Sequence, residues 1–244
     1  MITIKTAHEL ELMQAGGAIA REAIDKAIRA VGVGVSALTL NKLAEELIHA
    51  RGGLPCFKGY EGFPFATCIN VNAGIVHGIP TGYRFKKGDI VSVDLGVLYR
   101  GYNTDVSETV EVGSSKEDQF LQLGRKALEL AIFECREGGR VGDIANAIQK
   151  TIEDKGYSVS RDLVGHGIGR KVHEDPFVPC FGKPDTLERL CKGMTLAIEV
   201  IYQKGSPKLS LGKDGWTLST WDGSLAALFE KTVAVTAGEA LVLT

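Results

Sequence analysis

The chain has 244 residues, 44% hydrophobic and 24% charged, with a net charge of −2. That is the balance of a soluble globular protein with enough length for a sizeable core, and it gives no electrostatic reason to expect nucleic acid or an anionic membrane as the main partner. The five cysteines form no Cys-x-x-Cys pair, which argues against a zinc ribbon or a disulfide framework and for reduced thiols in a cytoplasmic protein. The opening MITIKTAHELELM lacks the basic-then-apolar pattern of a secretion signal, and no apolar run is long enough to span a bilayer.

Thr6-Ala7-His8-Glu9 fits a capping box, and apolar residues keep helical spacing from there to about Val31, where Gly32 and Gly34 end the pattern. A second helix is expected from about Leu40 to Ala50, stopped by Gly52-Gly53. The loop LPCFKGYEGFPF, rich in glycine and aromatic residues, leads into a strand at Cys68–Val71 and then to Val76-His77-Gly78-Ile79-Pro80. Next comes KKGDIVSVDLGVLYRGYNTDVSETVEV, a hairpin of strands Ile90–Leu98 and about Tyr102–Val112. The second half follows a like plan. A helix runs from Ser115 to about Glu137, another from about Asp143 to Lys155, and GHGIG at Gly165–Gly169 forms a histidine-bearing glycine-rich turn. Lys192-Gly193 then opens a strand carrying Glu199, and Leu225–Val235 reads as a closing strand carrying Glu230.

The correspondence between halves is closest at Lys87-Gly88…Asp94 and Lys192-Gly193…Glu199, where the acid falls six residues after the glycine in each. Self-similarity on this scale implies one domain over residues 1–244, built from two related halves, about 5–112 and 114–236, around a shared centre.

Four acids (Asp94, Asp105, Glu199, Glu230) therefore lie within otherwise apolar strands. A hairpin centred on Arg100-Gly101 sets Tyr99 against Tyr102 and Asp105 against Gly96, two residues along from Asp94, so both aspartates share a face. A single strand acid is more often solvated or salt-bridged than a ligand. Several ionised carboxylates gathered at one centre would repel unless cations neutralised them. With His166 they form a hard, oxygen-rich set suited to two divalent ions of the cobalt, manganese, iron or zinc kind, which can generate a nucleophile for hydrolysis.

VDLG with Asp94, Asp105 eleven residues on, GHGIGRKVHEDP at 165–176, IEV with Glu199, and the late Glu230 together resemble the methionine aminopeptidase family, in its short bacterial type I form. The resemblance spans nearly the whole chain. Glu230 follows Glu199 by only 31 positions, which leaves no room for the helical insertion of type II enzymes. It implies the pita-bread fold, of α+β class, in which two pseudo-symmetric halves form a curved antiparallel sheet covered by two pairs of helices. The activity implied is metal-dependent removal of the initiator methionine from nascent proteins and peptides, preferring a small second residue, by a monomer that meets its substrates in the cytoplasm, the ribosome included. Carried over position by position, Asp94 chelates one metal, Asp105 and Glu230 bridge both, and His166 and Glu199 complete the other site. Glu199 also takes a proton from the bridging water. His77 and His173 contact the peptide and stabilise the oxyanion. Phe57, Tyr60, Phe63, Cys68 and Trp216 form the methionine pocket, their bland alternative being ordinary core.

The chain departs from the family at Val200, Leu228, Lys231, Ala73, Gly74 and Val172, none of them an expected metal ligand. Prolidases and aminopeptidase P share the fold and ligand set, and pita-bread proteins without catalysis act as binding modules. The first normally carry an extra N-terminal domain and the second typically lose ligands. His173-Glu174 lacks the second histidine of HExxH, and GHGIG is not a dinucleotide fingerprint.

Overall fold

A computed structural model describes residues 2–244. Helices α1 (Ala7–Ala30) and α2 (Ala37–Ala50) precede five strands: β1 (Leu54–Pro55), β2 (Thr67–Val71), β3 (Gly74–Val76), β4 (Ile90–Tyr99) and β5 (Tyr102–Glu111). Helices α3 (Asp118–Glu134) and α4 (Val141–Glu153) follow. After them come β6 (Ser158–Val159), β7 (Val164–Gly167), β8 (Glu174–Pro179), β9 (Thr195–Gln203), β10 (Leu209–Leu211), β11 (Leu218–Thr220), β12 (Ala226–Ala234) and β13 (Leu241–Val242).

Local chemistry sets the helix ends. Thr6 Oγ1 accepts from Glu9 N and Glu9 Oε2 accepts from Thr6 N, which completes the expected capping box. α2 begins three residues earlier than expected, at Ala37, because Ser36 caps it by accepting from Thr39 N. α4 likewise begins at Val141, with Asp143 reaching back to accept from Arg140 N. α3 is shorter than expected at both ends: it starts at Asp118 and closes at Glu134.

The principal sheet has ten strands and runs β1-β4-β5-β12-β9-β7-β8, with β2 on β4, β6 on β9 and β13 on β12, antiparallel at each pairing. β10, β11 and β3 form a separate small sheet. α1 packs on β4 and β5, and α3 on β9 and β12. The chain's early and late strands meet at β5·β12. The hairpin register is the expected one: Tyr99 faces Tyr102, and Gly96 faces Asp105. One local expectation fails. His166 lies within strand β7, paired on both sides, and not in a turn. The flanking glycines serve close packing: a Cβ at Gly165 would stand 2.4 Å from Ala197 O, and one at Gly167 would stand 2.1 Å from Asp175 O.

Helix α3 approaches the sheet through Gly124, where a Cβ would come within 2.5 Å of the Phe229 ring and 2.7 Å of Tyr202. In a free helix Gly→Ala gains up to about 1 kcal/mol, whereas overfilling a packed core costs about 1–3 kcal/mol. Gly124→Ala is therefore expected to lower the urea midpoint with the m-value unchanged. A higher midpoint would show that helix propensity, and not contact with Phe229, decides this position.

Candidate active site

The register writes the site as two adjacent rows across the principal sheet. In the first row Asp94 (β4) faces Ser107 (β5), Ser107 faces Glu230 (β12), and Glu230 faces Glu199 (β9). In the second, two residues along, Gly96 faces Asp105, and Ala197 lies between Thr232 and His166. Thr232 ties this row together, since its hydroxyl accepts from Asp105 N and donates to Asp105 O. Strand side chains alternate faces with period two, so all five chemically active residues project from one face. The residues between them (Ser107, Gly96, Thr232, Ala197) are small and leave space above the sheet for the carboxylate heads.

Donor atoms of Asp105, His166 and Glu230 all lie within 4.8 Å of one another. His166 Nε2 stands 3.5 Å from Glu199 Oε1. His166 Nδ1 lies 2.9 Å from Gly167 O, and a carbonyl can only accept. The ring proton therefore sits on Nδ1, and the Nε2 lone pair is aimed at the carboxylates.

Asp94, Asp105 and Glu230 are buried, and the Glu199 side chain keeps only 13% exposure. Loss of water raises the pKa of all four acids above the ordinary carboxylate range. Neighbouring carboxylates add to the effect at Asp94, Glu199 and Glu230. Asp105, whose Oδ1 accepts from Val106 N, is raised to about 7. Burial lowers His166 to about 4, with His173 adding to it. Asp94 Oδ1 and Glu230 Oε1 are buried with no hydrogen-bond partner among the described residues. An orphaned buried acceptor costs about 1–3 kcal/mol, more when charged. Four carboxylates, one correctly tautomeric imidazole and two orphaned oxygens make a donor set that fits divalent cations.

The same cavity, about 120 Å3, is lined by every expected site residue: the five above with His77, His173, Phe57, Tyr60, Phe63, Cys68 and Trp216. Val172 joins them, as do Glu61 and Val76, which sequence reasoning passed over. Both neighbour residues already singled out, Tyr60 and His77, and that adjacency was the available signal.

His77 holds φ at +57°, in the left-handed region, a strained backbone that persists only where its surroundings enforce it. The enforcement comes from Gly78, whose N donates to Asn70 Oδ1 and whose O accepts from Ile69 N, both against β2. A Cβ at Gly78 would lie 2.3 Å from Ile69 O, so only glycine lets this turn press so closely on the strand. His173 packs edge-on to His166 with ring centroids 4.4 Å apart, and its Nδ1 lies 2.9 Å from Tyr60 Oη. Partial removal from water lowers the pKa of both His77 and His173, and His173 lowers His77 further. Phe63 and Trp216 meet edge to face at 5.2 Å and form the apolar end of the cavity.

A sequence model of metallopeptidase family M24 matches residues 11–237. The methionine aminopeptidase of Clostridium perfringens is 42% identical over 237 residues, which span 96% of this chain and 95% of that protein. The crystal structure of the methionine aminopeptidase from Thermotoga maritima superimposes with a TM-score of 0.98 at 41% identity, over 100% of this chain and 99% of that one. The prolidase from Pyrococcus furiosus shares the fold, with a TM-score of 0.79 at 24% identity, and this chain spans 65% of it. The chain belongs to metallopeptidase family M24. Within that family it groups with the methionine aminopeptidases, and its fold is the pita bread that the motifs implied.

The four acids bind protons more tightly in the folded metal-free chain than in the unfolded one. Their contribution to stability is complete below the unfolded values near 4 and is lost as pH rises through the folded ones, near 7 for Asp105. His166 acts in the opposite sense, losing stability as pH falls from its unfolded value near 6.5 through its folded value of about 4. Above roughly pH 6.5 the acids alone decide the trend. The melting temperature of chelator-treated protein is therefore expected to fall between about pH 6.5 and 8, and saturating Mn2+ should restore more of it at the upper end. A metal-free melting temperature that rises over this interval would contradict the assignment.

Proposed function

We propose that the chain is a methionyl aminopeptidase with a dinuclear metal centre that removes the initiator methionine from nascent proteins and peptides whose second residue is small. The observation that carries this reading is the two-row array, in which four carboxylates and one oriented imidazole share a face of one sheet beside an apolar recess. Asp94, Asp105 and Glu230 would hold one divalent ion; Asp105 and Glu230, with His166 and Glu199, would hold the second. When bound, such ions supply Lewis acidity toward the scissile carbonyl and a nucleophile competent near neutral pH.

The remaining roles fall to the chain's own residues. Glu199 is the general base: its Oε1 stands 3.5 Å from His166 Nε2, it retains some exposure, and it carries a raised pKa suited to taking a proton from the attacking water and giving it to the leaving amine. We assign the proton of the Tyr60 Oη–His173 Nδ1 contact to the tyrosine, so that the neutral ring carries its single proton on Nε2, where it can be offered to the developing oxyanion. His77, held in place by its strained backbone, lines the same cavity and is a second contact for the peptide. Phe57, Tyr60, Phe63, Cys68 and Trp216 receive the methionine side chain. Val76 and Ile201 line the adjoining hollow, where the second residue of the peptide would lie. We read the protein as a cytoplasmic monomer, in keeping with its five free thiols; no helix among the described residues is long and apolar enough to cross a membrane.

Two measurements test the reading. Metal-loaded protein is expected to hydrolyse Met-Ala-Ser about 10–200-fold more efficiently than Leu-Ala-Ser, the scale of one wrong branch in an apolar pocket. Preference for an X-Pro peptide would move the activity to the prolidase side of the fold. His166→Ala should lose bound metal and turnover together, whereas His173→Ala should keep its metal and lose about 10²–10³ in kcat, the cost of one oxyanion donor. Equal loss of metal from both variants would refute this division of roles, and a wild-type rate in His173→Ala would remove the oxyanion role.

A further inference from the structure

The second row of the sheet does not stop at His166. Its next member, on β8 at the edge of the sheet, is Phe177, directly opposite His166 and therefore on the same face. Its neighbours along β8, Pro176 and Val178, are buried, yet Phe177 is 64% exposed, so a large aromatic surface is left in water one strand from the reacting groups. A hollow of about 270 Å3 accounts for this position. It shares His77, His166, His173 and Glu199 with the catalytic cavity and continues outward between Leu163 and Phe177.

A peptide whose first residue fills the apolar recess must leave the cavity on the side away from Phe63 and Trp216, and this hollow is continuous with the cavity there. An extended chain advances about 3.3–3.4 Å per residue, so the third α-carbon lies roughly 7 Å beyond the first. Paired strands place α-carbons about 4.5–5.5 Å apart, which brings a phenyl ring opposite His166 within side-chain reach of that third residue. We propose that Phe177, with Leu163, forms the contact surface for the third residue of the substrate and makes the enzyme prefer an apolar side chain there. The inference rests on reading the cavity as a peptidase centre.

An open contact of this kind binds ground state and transition state alike, so the preference belongs in KM, with kcat little affected. The test uses metal-loaded protein with Met-Ala-Leu-Ser and Met-Ala-Gly-Ser. Wild type is expected to show a KM lower for the leucine peptide by about tenfold, the low end for an apolar pocket contact. Phe177→Ser should bring the two KM values together, and Phe177→Leu should retain most of the difference. Equal KM values in wild type, or a difference that survives in Phe177→Ser, would overturn the proposal alone. Failure of wild type to cleave either peptide would overturn it together with the peptidase reading.

Discussion

Mutual repulsion among four carboxylates taken out of water is the constraint on which this structure turns. An isolated buried anion is so costly that the group ordinarily protonates, and here each added negative charge raises the cost for the next. The chain nevertheless gathers Asp94, Asp105, Glu199 and Glu230 on one sheet face and leaves an oxygen of Asp94 and one of Glu230 without a hydrogen-bond partner among the described residues. Such an arrangement is a poor way to build a core. It is an effective way to build a site whose affinity for divalent cations is set by how badly the carboxylates need neutralising.

The surrounding fold is arranged to hold those heads in place against their repulsion. Antiparallel pairing fixes the register of β4, β5, β12 and β9, so a slip of one residue would move each acid to the helix-covered side. Gly165 and Gly167 allow β7 to lie tight against its neighbours and bring His166 to the edge of the array. Thr232 locks Asp105 at the junction of the early and late strands, and α1 and α3 cover the opposite face through glycines and small apolar residues.

Much of this is legible in the chain because the informative features are local. A tight turn at Arg100-Gly101 dictates the hairpin register, and with it the shared face of Asp94 and Asp105. The capping box at Thr6 is equally local. The pairing of β5 with β12 is not, since it joins residues more than a hundred positions apart and no short-range signal specifies it. The same limit explains His166, where glycines that read as turn punctuation are present because two other strands crowd the backbone. The Ser36 cap, which starts α2 at Ala37 and not at the expected Leu40, is a local signal of the same kind as the Thr6 capping box. Phe177 carried no local signal, because its significance comes from facing His166 across β7 and β8.

Calorimetric titration of the chelated protein with Mn2+ near neutral pH, in buffers of differing ionisation enthalpy, counts the protons displaced as the ions bind. Carboxylates held protonated by burial and by one another must give up those protons to a cation. Two ions are expected to bind per chain, with net proton release that diminishes as pH is raised. Binding with no proton release near neutral pH would mean that the four carboxylates are already ionised without a cation, and would contradict that expectation.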